Sequence, residues 1–346
     1  MEKIRAEVDL SAHPDSRIGT RSPRTRVWRH GRLEAEGFPL ADVSGYLAEA
    51  DTVVWLDLCG PEQREMRVIA EELGLEPHAI EDAASRHERA KLDRYTGHLF
   101  LNAYDVRLDT VTGRLHTAEV SAFITERALV TVRQTPDFDV DELIQRWDGE
   151  ADLAAYGVAY LLHGLLDLMV DRHFTAVQGL DEELEGLEDM LFEQQPKAAD
   201  QAMQRRNFRL YKSLVLLRRV VLPMREIVNT LLRRDLHVVP ADMAPYYQDV
   251  YDHVLRATEW TESLRDVVTT IQEARLAIQD NRLNEVMKKV TSWAAIIAVP
   301  TAVTGFYGQN VPYPGYGSQW GFITSCLILV TTAIALYVVF KRRDWL

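Results

Sequence analysis

From Val290 to Phe340 the chain carries no Asp, Glu, Lys, Arg or His, and this silence is bounded by Lys288 and Lys289 before it and Lys341, Arg342 and Arg343 after it. In a protein whose residues are 26% charged, so long a gap constrains the segment more than any other feature. It divides into an apolar run over 290–307, a Gly/Pro/Tyr-rich turn over 308–320 and a second apolar run over 321–340. Each run approaches the ~20 residues with which a helix crosses a bilayer. The cationic flanks lie at the outer ends and the turn has none, so the positive-inside rule places both chain ends in the cytoplasm. Trp293, Tyr307, Tyr313, Trp320 and Tyr337 fall where interfacial aromatic belts are expected. The expectation is a multi-pass protein of the plasma membrane.

The other 290-odd positions carry the charge. A formal net charge of -13 argues against nucleic acid as a partner and favours cations. Cys59 and Cys326 stand alone in different contexts, so neither a disulfide framework nor a thiolate zinc site is expected. The polar N-terminus has no apolar core segment, and no signal peptide is read there. Residues 1–25 are expected to be a mobile tail. Over 26–145, strand-like stretches ("TRVWRHGRLEAEGF", "DTVVWLDL" and three strands within 98–134, turning at Thr112-Gly113 and Glu126-Arg127) alternate with a helix at "PEQREMRVIAEELGL", which predicts a cytosolic α/β domain.

Beyond Val140 the pattern becomes helical. Over 146–240 an acidic helix end closed by Pro196 faces a basic helix over 199–223 ended by Pro223, forming either an antiparallel charge pair or two solvated faces. Between Pro245 and Pro300 there is neither Pro nor Gly, so one helix is expected to run through a stalk over 241–289 into the first span. Leu264, Val267, Ile271, Ala274 and Ile278 recur along it at spacings of 3 and 4, a seam that asks for partner helices and hence an oligomer.

Another face of this helix is small or weakly polar. Stepping by 3 and 4 from Asn284 meets Met287, Thr291, Ala294, Ala298, Thr301 and Gly305; stepping back meets Asp280, Ala277 and Glu273, so carboxylates join the face on the cytosolic side. Small residues serve helix packing, but polar groups at membrane depth usually face a water-filled path. Amide and carbonyl oxygens at the mouth, with no Cys or His nearby, suit a hydrated Mg²⁺ better than Zn²⁺.

"YGQN" (Tyr307 to Asn310), at the end of the first span, resembles the Tyr-Gly-Met-Asn signature of the CorA-type magnesium transporters. "LNEVMKKVT" (283–291), "YQDVYDH" (247–253) and the tail "KRRDWL" (341–346) resemble further elements of that family in the same order. The resemblance implies an α+β cytosolic domain, sandwich-like (α/β/α) and funnel-forming, with a long stalk helix and two C-terminal transmembrane helices, assembled as a homopentameric channel. It implies a selectivity filter at Gly308, Gln309 and Asn310, an inner ring at Asn284, a constriction at Met287 and Val290, and lining positions at Ala298, Thr301 and Gly305. Val290 lies off the face traced above, where Thr291 falls. The resemblance also implies a basic ring at Lys341, Arg342 and Arg343 and a regulatory Mg²⁺ held by Asp249 and Asp252. On the opposing side Gly97 falls where an acid is expected, leaving Asp93 as a substitute. Gln309 replaces the signature Met, and the turn lacks an acid. The implied function is entry of Mg²⁺, with Co²⁺ and Ni²⁺ as passengers.

Alternatives are a zinc-transporting branch of the same superfamily and a membrane-anchored scaffold that carries no ions. An enzyme would have to rest on His87-Glu88, His163 or His173, and none of these sits in a catalytic motif.

Overall fold

The computed structural model describes residues 22–85, 89–191, 197–233, 236, 238–309, 312 and 315–346. Residues 1–21 of the tail expected over 1–25, His87 and Glu88, Pro196, Asn310 and Tyr313 lie outside the described residues, while Arg24 and Thr25 of that tail begin a strand. The chain divides into two compact units, one ending at Val268 and the other running from Thr269 to Leu346.

The first unit is built on one sheet. β1 (Arg24–Arg29), β2 (Arg32–Glu36), β3 (Thr52–Cys59), β4 (Lys91–Arg94), β5 (Leu99–Asp109), β6 (Arg114–Ile124) and β7 (Ala128–Arg133) take the order β2-β1-β3-β7-β6-β5-β4. Every neighbouring pair is antiparallel except β3 with β7. The period of two explains why both faces are covered. On β3, Val54, Leu56 and Leu58 turn into a core with Met66 and Ile69 of α2 (Gln63–Leu73) and Ala79 and Ala83 of α3 (Pro77–Ala84). The short α1 (Val43–Ala48) adds Val43 to that layer. Trp55 projects to the other face, where its ring meets Trp147 of α4 (Val140–Gly149) edge-on at 4.9 Å.

Local signals set these helix boundaries. Glu62 and Glu65 form a capping box at the start of α2, and Gly74, at φ 63°, closes it in the left-handed conformation. Asp139 caps α4 by accepting from the Asp141 and Glu142 amides at 3.1 and 3.2 Å. α5 (Val158–Leu191) and α6 (Lys197–Leu231) complete the second helical layer. Gly164 of α5 is there because a Cβ would stand 2.5 Å from the Trp147 indole nitrogen, which donates to Leu161 O at 3.1 Å. The result is an α/β/α sandwich.

α1, α3 and β4 escaped sequence reading, being short and weakly periodic. Two other expectations need correction. Pro223 does not end its helix: α6 continues through it to Leu231, with Val221, Met224, Ile227 and Val228 buried. Burial of that face outweighs the lost hydrogen bond. Nor does the seam on α7 (Ala244–Tyr307) await other chains along its upper part. Of the seam, Leu264 and Ile271 are already buried in the single chain and Val267, Ala274 and Ile278 are half-buried; Tyr247, Val250, Val254, Ala257 and Val268 of the same helix are buried as well. Tyr247 donates to Ala159 O of α5 at 2.8 Å, and Trp260 packs against Phe174 of α5 at 5.5 Å. The acidic and basic helix ends meet at Glu183 of α5 and Arg206 of α6, 2.7 Å apart.

In the second unit α7 runs on unbroken through Pro300 to Tyr307, and α8 spans Gln319–Arg342. Both are long and apolar enough to cross a bilayer.

Candidate functional site

The membrane pair has a covered side and an open side. On α7, Ser292 is buried and Ala295, Ile296, Val299 and Val303 are half-buried; on α8, Ser325, Ile328, Leu329, Thr332 and Leu336 form a similar stripe. Spacings of 3 and 4 make each stripe one helix face. The residues singled out from sequence lie off it: Thr291, Ala294, Ala298, Thr301, Gly305, Gly308 and Gln309 are all exposed. Met287 and Val290 are 65% and 62% exposed, a large apolar surface that asks for cover. Glu273, Asp280 and Asn284 are exposed on the same helix.

Hydroxyls within the spans bond to their own helices. Thr301 donates to Ile297 O at 2.8 Å, Thr304 to Thr301 O at 2.9 Å, and Thr331 to Leu327 O at 2.7 Å. Such back-bonding is how a bilayer helix keeps polar side chains. At the end of α7, the Gly308 amide donates to Thr304 O at 2.9 Å and that of Gln309 to Phe306 O at 3.3 Å, so the signature begins as a tightened last turn. A Cβ on Gly308 would stand 3.1 Å from Thr304 O. The turn closes on α8 through glycines: Gly315, at φ 91°, approaches Gly321 so closely that a Cβ there would lie 2.2 Å from its carbonyl oxygen. Ser318 donates to Gly315 O at 3.0 Å and accepts from the Gly321 amide at 3.3 Å, capping α8. At the other end Lys341 and Arg342 occupy the last turn, Arg343 caps it, and Trp345 stacks on Phe340.

The first unit holds a second group. Asp167 and Asp171 on α5 and His253 on α7 each bring a ligand-type atom within 4.8 Å of the others. Asp249 stands 4.0 Å from His253, one turn away. Arg146 of α4 pairs with both Asp167 and Asp171. Burial pushes the Asp167 carboxyl up, against the opposing pull of Arg146. Burial also lowers His163, although Asp167 and Glu150 oppose it. The carboxylates here fit an oxygen-seeking divalent cation that keeps some of its water.

Of the expected regulatory residues, Asp249 therefore lies beside a donor cluster. Asp252 is exposed and accepts from Gln248 at 3.1 Å. Asp93, on β4, is engaged by Lys91 at 3.0 Å, and Lys91 also donates to Asp82 at 2.6 Å. Burial works against the Lys91 ammonium, yet these two carboxylates outweigh it and raise its pKa. No contact among the described residues brings Asp93 to Asp249 or Asp252. Sequence reading missed Asp167 and Asp171. Their signal was two carboxylates four apart inside the largely apolar run "LLHGLLDLMVDRHF", which also holds His163, Arg172 and His173.

A folded α/β/α unit followed by two exposed apolar helices, joined by a glycine-locked turn, defines an integral membrane protein with a substantial aqueous domain. The chain belongs to the family of CorA-like Mg²⁺ transporter proteins, whose model matches residues 50–342. It is thus a divalent cation transporter of that superfamily rather than an enzyme. The cobalt/magnesium transport protein CorA of Thermotoga maritima is 27% identical over 325 residues, covering 92% of each chain. The zinc transport protein ZntB of Pectobacterium carotovorum is 23% identical, covering 79% of this chain and 82% of the relative. The complete CorA magnesium transporter structure from Methanocaldococcus jannaschii superposes with a TM-score of 0.74 at 19% identity, over 95% of this chain and all of the other, a likeness of fold.

Proposed function

We propose that the chain assembles as a homopentamer in the plasma membrane, termini in the cytoplasm, and conducts hydrated Mg²⁺ inward, with Co²⁺ and Ni²⁺ as secondary cargo. One observation carries this reading: the weakly polar residues of α7 lie exposed, off the face that the single chain covers. Around a symmetry axis they line a path, with Asn284, Met287, Val290, Thr291, Ala294, Ala298, Thr301 and Gly305 below a filter of Gly308, Gln309 and Asn310. Glu273 and Asp280 gather cations at the cytosolic mouth, and Lys341, Arg342 and Arg343 form a basic ring. Exposed Leu276, Leu283, Met287 and Val290 supply the apolar area that neighbouring subunits would bury. In this reading the domains are the α/β domain over 26–145, the helical hairpin over 146–240, the stalk over 241–289 and the two spans. Cytosolic Mg²⁺ closes the pore by loading Asp249 and its neighbours. Asp252 and Asp93 have a weaker claim, Asp93 because Lys91 must first release it.

Gly308 and Gln309 offer backbone and amide oxygens, which hydrogen-bond to the water of a hydrated ion without stripping it. The ZntB relative and the Gln at 309 make zinc transport the second reading. Liposomes holding a Mg²⁺-sensitive dye decide between them. Mg²⁺ entry lost in Asn310→Ala is the expected result; entry of Zn²⁺ alone would move the protein to the zinc branch, and no flux of any ion would sink both.

A further inference from the structure

Arg146 reaches from α4 to two carboxylates one helical turn apart on α5. The donor set that those carboxylates form with His253 therefore already has a cation standing on it. A guanidinium does not give up its proton in a protein, so it cannot leave by neutralisation. A divalent ion on the same oxygens would face its full charge, and the two cannot share the site. The arginine also has somewhere to go. Glu150, one turn further along the chain, has a buried Oε2 with no hydrogen-bond partner. The Nδ1 of His163, 3.9 Å from that oxygen, is likewise buried and unpartnered. Two orphaned polar atoms beside an over-subscribed carboxylate pair are what a second resting place for the guanidinium requires.

We propose that Arg146 is a tethered cation that a divalent metal must displace, toward Glu150, in order to bind Asp167, Asp171 and His253. The arginine thereby sets the concentration at which the cluster loads. This rests on the reading of the chain as a transporter regulated by cytosolic cations, and gives that regulation a threshold. Metal binding becomes an exchange of one cation for another, so the observed affinity is the intrinsic one reduced by the strength of the arginine contacts.

The test uses the full chain in detergent with MnCl₂ as probe, following free Mn²⁺ by electron paramagnetic resonance and competing it with MgCl₂. Arg146→Gln is expected to tighten Mn²⁺ binding about tenfold or more, since charged hydrogen bonds no longer compete. The bound signal should carry ¹⁴N modulation from a coordinated imidazole that His253→Gln abolishes. Arg146→Lys, a point charge that cannot fork across two carboxylates, should fall between; it also serves if the glutamine variant fails to fold. Unchanged or weaker binding in a folded Arg146 variant, or tightening without ¹⁴N modulation, would overturn the proposal. Mg²⁺ entry is measured on liposomes made from the same preparations. Absent flux with the Mn²⁺ shift intact would defeat the transport reading and leave the exchange standing; flux without the shift would do the reverse.

Discussion

Asp57→Asn perturbs the join between the sheet and the helical layer that carries Arg146. Asp57 is 2% exposed and receives Arg133 through two hydrogen bonds, at 3.0 and 2.5 Å, and Thr131 at 2.8 Å. Arg133 gives its remaining nitrogen to Phe138 O at 3.0 Å, fastening β7 to the segment that enters α4. The amide keeps the carboxylate's shape but leaves a buried guanidinium without its counter-charge. Breaking a buried pair from one side costs ~3–5 kcal/mol. At ~2–4 °C per kcal/mol for a unit of this size, the thermal midpoint should fall by about 6–20 °C. Tryptophan fluorescence is a direct readout, because the Trp55 indole donates to Thr131 at 3.2 Å, inside the same network. Pairing Asp57→Leu with Arg133→Met removes both charges and should recover most of the loss. A fall of less than about 2 °C in the single variant, or no recovery in the double, would refute the reasoning.

Acid should weaken the fold through His173, which is fully buried and held neutral, its pKa lowered to about 4. The unfolded chain takes up this proton near pH 6.5 and the folded chain only near 4, so stability falls as pH drops through that window, by about 3 kcal/mol in all. Asp105 runs the other way: burial, against the pull of Arg172, pushes its carboxyl up to about 6, so acidification from there toward the ordinary 3.8 favours the fold. His173→Gln should therefore flatten the acid loss measured by denaturant unfolding at stepped pH; an unchanged slope would remove His173 as its cause. Gly321→Ala, whose Cβ would lie 2.2 Å from Gly315 O, must push the turn away from α8. Ion flux in liposomes should drop several-fold, while Gly317→Ala, which meets nothing within 4 Å but strains a φ of 73°, should cost less.

The membrane spans were legible because a bilayer tolerates so few charges that their absence is itself a pattern. β5, β6 and β7 were legible through alternation and through Gly113, whose φ of 65° completes a turn in which Asp109 accepts from the Val111 and Thr112 amides at 2.9 and 3.1 Å. The seam on α7 was visible but its partner was not, since apolar spacing is the same whether the covering helix belongs to this chain or another. Pro223 misled because propensity is local while the burial of Val221 and Met224 is not. The cluster of Asp167, Asp171 and His253 lay hidden because it joins positions more than eighty residues apart, which only the packing of α7 on α5 brings together. Gly308 and Gln309 were singled out by the resemblance of "YGQN" to a family signature, and their proposed role rests on it rather than on the backbone contacts they make.

The back-bonded threonines of the spans bear on the sign of charge that the proposed pore would admit. Thr301 has committed its only hydroxyl proton to Ile297 O, so toward any adjoining water it offers lone pairs and no donor. Water around a cation turns its hydrogens outward and finds acceptors at such a surface; water around an anion turns its oxygens outward and finds nothing to bind. In the pore proposed above, a wall of this kind would discriminate against chloride without a single charged side chain, by having spent its protons elsewhere.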